Sequence, residues 1–247
     1  MSLTITILTI RQFLRSRSIY VVLGISLLAS VLAVIVQVTP GEMSIRDLRD
    51  IFANVLYQDL IAATLLPLAT LVLSTAAVGD EIEDRTLQYL TLKPIGRFRI
   101  VFEKLLAVIV VMVPIVWLGI AVTWAIVAFG NVDALRNLLW PALASSLVAI
   151  VGFGSLFLLL SMVMQRALLV GVFYVFVWET ALSRFLPGIR SISIRHYTQS
   201  LFVRLVDDRR VDVPQLSAQS TVIVTTVAIC VVCVILATWR LRSMSLE

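Results

Sequence analysis

The chain has 247 residues, a mean hydropathy of +1.02 and only 14% charged residues, where a soluble domain carries about 25%. That composition excludes a sizeable soluble domain and predicts an all-α integral membrane protein. The net charge of +5 sits at the ends of apolar runs, as interfacial basic residues do, and no basic patch interleaved with aromatics offers a surface for nucleic acid.

Residues 1–17 precede the first long apolar run. Leu3, Ile7, Ile10 and Leu14 share one face of a helix and Arg11 and Arg15 another, which predicts an amphipathic helix lying in the membrane interface. A cleaved signal peptide is the rival reading, but the uncharged run 18–38 exceeds the roughly 7–15 residues of a signal core. Six spans are expected, at 18–38, 57–79, 105–129, 137–164, 167–186 and 218–239. The first is stopped by Thr39-Pro40-Gly41 and followed by a short polar loop around Arg46–Asp50. Pro67 marks a kink in the second, with Asp59 near its outer end. Residues 130–136 form a tight turn, and Gln165-Arg166 an even shorter one. The segment 187–217 is polar but partly apolar, and predicts short helices on or in the outer leaflet. Gly152, Gly154 and Ser155 are small residues at which a second helix can approach.

Six spans put both termini on one side. With that side inside, the inner segments hold 11 Lys and Arg and the outer segments 9, five of the nine within 187–214. Counting only short loops favours cytoplasmic termini. A five-span chain, in which 167–186 enters and leaves one face, is the alternative.

The charge-dense exception to this apolar chain is 78–104, with five acids and five bases between two uncharged runs. Such a stretch cannot enter hydrocarbon and must bridge two spans outside it. Glu81 and Arg85 are spaced to pair on one helix face, with Ile82, Thr86 and Tyr89 on a less polar one, until Pro94 and Gly96 turn the chain back. The pattern Glu81-x-Glu83-x-x-Thr86-Leu87, then Pro94-Ile95-Gly96-Arg97, then Lys104, resembles the cytoplasmic loop of ABC-2 type transporter permeases. Where the family often has Gly before the Thr, this chain has Arg85. The run Trp178-Glu179, Pro187-Gly188 and Ser193-Ile194-Arg195-His196-Tyr197 is similar to a subset of bacterial members. The resemblance implies that 80–104 is a coupling loop docking on a separate ABC ATPase subunit through Glu81, Glu83, Arg85, Thr86, Leu87, Pro94, Arg97 and Lys104. It also implies a second permease copy, export, a location in the cell membrane, and ATP and Mg held by the partner.

The chain itself lacks catalytic signatures. None of its ten Gly residues precedes a Lys, so there is no phosphate-binding loop of the Gly-x-x-x-x-Gly-Lys type. A lone His, His196, cannot build a two-His metal or haem site and is expected to be solvated or interfacial. Cys230 and Cys233 share a helix face, read as packing in preference to a soft-metal pair. Glu179 is the one acid deep in a span. It is either functional or a structural partner of Arg184, Arg190 or Arg195. An ion-coupled carrier or channel using Glu179 and Asp59 without ATP is the alternative function.

Overall fold

The computed structural model of the chain describes residues 4–38, 44–83, 96–182, 193–206 and 218–243, and all regular structure among them is helical. In chain order these are α1 (Thr4–Arg15), α2 (Arg17–Val38), α3 (Ile45–Asp50), a π-helical stretch (Ile51–Leu65), α4 (Leu66–Glu83), α5 (Arg97–Val127), α6 (Val132–Val163), α7 (Ala167–Phe173), a second π-helical stretch (Tyr174–Leu182), α8 (Ile194–Val206) and α9 (Gln219–Ser243). Five helical runs are long and apolar enough to cross a membrane: Arg17–Val38, Ile45–Gly79, Arg97–Val127, Val132–Val163 and Gln219–Leu241.

α6 lies at the centre, with α4, α5, α8 and α9 packed around it. The run containing α4 is 83% buried across its most apolar window, whereas that of α2 is 17% buried. Both are apolar throughout, so burial separates a core helix from one that faces hydrocarbon. α2 touches the bundle through Val22, Ala29 and Ala33, small or compact residues on one stripe. Gly119 of α5 lies against that stripe. A Cβ there would stand 2.4 Å from the Ser26 carbonyl oxygen, so the two backbones meet where a side chain is absent.

Local sequence explains the ends. α1 closes at Ser16, whose amide and hydroxyl both donate to the Phe13 carbonyl at 3.0 and 3.1 Å. α3 opens on a capping box: the Ser44 hydroxyl accepts from the Arg46 amide, and the Asp47 carboxylate accepts from the Ser44 amide at 3.0 Å; this reciprocal pairing satisfies otherwise orphaned donors. The polar loop expected around Arg46–Asp50 is therefore a helix that runs on into the second apolar run. The π winding of that run, with the Leu66 amide bonded to the Ile61 carbonyl, ends at Leu65, two residues before Pro67. A proline has no amide to give to either register, so the break expected at Pro67 is a change of winding from π to α.

Two further expectations are corrected. The turn after α5 covers only residues 128–131, with Gly130 at φ 84°, and Arg136 belongs to α6. Residues 97–104, expected in the coupling loop, are helical and belong to α5, as 80–83 belong to α4, and 84–95 lie outside the described residues. The fifth apolar run is helical from Ala167 through Leu182, the last residue described there, and its apolar part among the described residues is Ala167–Glu179.

Candidate functional site

Two buried polar joints, at opposite ends of the bundle, tie short helices to long ones. The first surrounds Glu179, whose side chain is fully buried. Its Oε1 accepts from the Tyr174 hydroxyl at 2.9 Å and the Ile194 amide at 3.2 Å. Its Oε2 accepts from the Ser193 hydroxyl at 2.5 Å and the Arg195 amide at 3.4 Å. The Ser193 oxygen also accepts from the His196 amide at 3.2 Å, which makes it the N-cap of α8. The first three amides of α8, which have no partner within the helix, are thus taken by Ser193 and Glu179. A carboxylate there also meets the positive end of the helix dipole.

The rest of α8 is fixed by the first π-helical stretch. The Arg195 guanidinium meets the Asp59 carboxylate at 3.4 Å, and the Gln199 amide nitrogen donates to the Gln58 carbonyl at 3.1 Å. Tyr57 stacks on Phe202 with centroids 4.2 Å apart, and its hydroxyl donates to the Ala142 carbonyl at 2.9 Å. Extended π winding is rare and gathers at functional positions. Here both π stretches carry the side chains that hold α8.

Three expectations change at this joint. α8 is not spread on a leaflet: most of its residues, from Ile194 to Val203, are buried within the protein. His196 is buried as well, its ring 5.8 Å from that of Tyr197, so it is not a solvated residue; it lies on the turn that Glu179 draws inward. Of the expected partners of Glu179, Arg195 contributes its backbone amide, while Arg184 and Arg190 lie outside the described residues. Asp59, the other half of the ion-coupling alternative, keeps 57% of its side chain exposed while bonded to Arg195. Both acids are engaged in holding one helix.

The second joint lies where α4 ends and α5 begins. The buried Glu103 carboxylate accepts from the Ile5 and Thr6 amides at 2.9 and 3.3 Å and from Arg99 Nε at 2.6 Å, and the Thr6 hydroxyl donates to the Glu103 carbonyl at 3.1 Å. As at α8, a buried carboxylate takes amides of the first turn of a short helix. α1 turns Ile5, Thr9 and Phe13 toward α5, while Ile7 and Leu14 of the expected apolar stripe stay exposed on the side where lipid lies. The next residue, Lys104, is fully buried, with its Nζ donating to the Ala77 carbonyl of α4 at 2.5 Å. Of the expected coupling residues, Lys104 is thus the one turned into the bundle at the root of the loop.

Of the other expected coupling residues, Arg97 opens α5 half-exposed. Glu81 and Glu83 lie on the last turn of α4, and Arg85, Thr86, Leu87 and Pro94 lie outside the described residues. Cys233 is buried and Cys230 partly so; among the described residues no group of His, Cys, Asp and Glu is arranged to hold a metal ion. Glu103 was missed as a site residue because its charge reads as one more in a charged loop. Arg99 one turn earlier was the available signal.

An all-helical bundle with five membrane-length apolar helices and charged residues confined to buried joints and helix ends is a multi-pass membrane protein. The chain belongs to the ABC-2 family of transporter proteins, whose sequence model matches residues 3–246. It is a permease component of an ABC transporter, a membrane part in a family that works with an ABC ATPase. No curated protein matches the chain.

Proposed function

We propose that this permease forms the membrane pathway of an ATP-driven exporter and receives its drive through residues 80–104. The supporting observation is that the one charge-dense stretch of the chain joins α4 to α5 beside a joint that ties α1, α4 and α5 together through Glu103 and Lys104. In this reading Glu81, Glu83, Arg85, Thr86, Leu87, Pro94 and Arg97 form the docking surface, and Lys104 positions its root. The ATPase partner supplies ATP and Mg. Two permease copies enclose the path, six crossings are completed by the segment after Ala167, and both termini are cytoplasmic in the cell membrane.

The test uses the reconstituted complex. Reversing Glu83 to Lys, or deleting residues 94–97, is expected to abolish assembly with the ATPase and with it the stimulated ATP hydrolysis, leaving the permease folded. Intact assembly and transport in Glu83→Lys would remove this residue from the docking surface.

A further inference from the structure

At the end of the bundle where α4 finishes, the helices do not close on one another. A cavity of about 830 Å³ lies between the start of α2, the last turns of α4 and α9, and the turn joining α6 to α7. That volume falls in the ~300–1,000 Å³ range of clefts that hold small molecules. Its wall has two characters. Val72, Met162 and Leu168 are among its apolar lining residues, and Ser18, Arg166 and Arg240 among its polar and cationic ones.

The two arginines are under-used. Arg240 Nε is buried and has no hydrogen-bond partner among the described residues, an arrangement that costs stability unless an acceptor is supplied from outside. Arg166 stands exposed at the rim, and no acidic residue lines the cavity among the described residues. Both arginines sit at or just past the ends of membrane-length helices, where basic side chains meet headgroups when such helices cross a bilayer. Basic pockets between spans take anionic headgroups, and the guanidinium fork matches phosphate oxygens.

We propose that this cavity binds an anionic phospholipid of the bilayer, its phosphate on Arg166 and Arg240 and the start of its acyl chain along Val72, Met162 and Leu168. Inorganic phosphate shares the head chemistry but leaves the apolar wall wet, so it is the weaker occupant. The proposal stands on this cavity and does not depend on the coupling reading.

Native mass spectrometry of the purified full chain, loaded with phosphatidylglycerol or phosphatidylcholine, tests it. Wild type is expected to retain phosphatidylglycerol selectively and to melt higher with it. Arg166→Gln and Arg240→Gln should each weaken retention by about fivefold, while Arg240→Lys, which keeps the charge, should retain most of it. Inorganic phosphate at the same concentration should not displace the lipid. Equal retention of the two lipids, retention unchanged in the Gln variants, or displacement by inorganic phosphate would each overturn the proposal. Arg166→Gln changes an exposed side chain, so the test survives a failure of Arg240→Gln to fold.

Discussion

Replacing Glu179 separates a joint from a mere passenger charge. In Glu179→Leu the Tyr174 and Ser193 hydroxyls are free to turn to other acceptors, but the amides of Ile194 and Arg195 are fixed by the first turn of α8 and those residues are buried. Two stranded buried amides at ~1–3 kcal/mol each cost about 2–6 kcal/mol together. At ~3 kcal/mol the melting temperature should fall by roughly 6–12 °C for a chain of this size. Glu179→Gln is milder for a geometric reason. Its carbonyl oxygen can keep the Tyr174 and Ile194 bonds at the Oε1 position, and its NH₂ can donate to the Ser193 hydroxyl at the Oε2 position. Only the long contact to the Arg195 amide is lost, about 1 kcal/mol and roughly 2–4 °C. The assay is thermal melting of the solubilised chain together with hydrogen exchange at Ile194 and Arg195, which should quicken strongly in Leu and slightly in Gln. A Leu variant that melts at or above wild type would refute the reasoning, because the carboxylate would then be only a desolvated charge.

Three further outcomes follow from the geometry. Glu103→Ala should release the start of α1, costing about 1–3 kcal/mol, and should make a cysteine placed at Ile5 reactive to a water-soluble thiol reagent while wild-type Glu103 protects it. Gly119→Ala should destabilise by ~1–3 kcal/mol or more, since its Cβ would meet the Ser26 backbone at 2.4 Å and α2 must move; a melting temperature equal to wild type would mean that α2 rides freely on α5. A topology reporter fused after Glu247 should be cytoplasmic and one at Asp207 external, and a cytoplasmic signal from Asp207 would favour five crossings.

The spanning helices were legible because their signal is length and apolarity alone, which needs no tertiary information. Residues 18–38 lie within α2, and 105–127 of the expected 105–129 within α5. The ends were not. Ser44 and Asp47 cap α3 through a pattern only four residues long, inside a stretch whose charges suggested a loop. Gly152 was marked as a site of close approach, and a Cβ there would stand 2.8 Å from Ile194, but nothing in its own helix said that the neighbour would be α8. Glu179 stood out because an acid in an apolar run is costly. Three of its four partners lie 14 to 16 residues further on, and two of these are backbone amides, which carry no mark in the sequence. The same holds for Glu103, whose partners are nearly 100 residues earlier. π winding in 51–65 has no compositional signature that separates it from α.

The adjacency of Glu103 and Lys104 has a mechanical consequence. One residue grips α1 and the next grips α4, while both belong to α5. A load delivered to the chain between Glu83 and Gly96 cannot prise α4 from α5 without first pulling a lysine ammonium off a carbonyl inside the bundle, and it cannot tilt α5 without dragging α1. The three helices are therefore pinned to one another at a single turn of α5, so a displacement of any one of them is felt first by the bonds at Glu103 and Lys104.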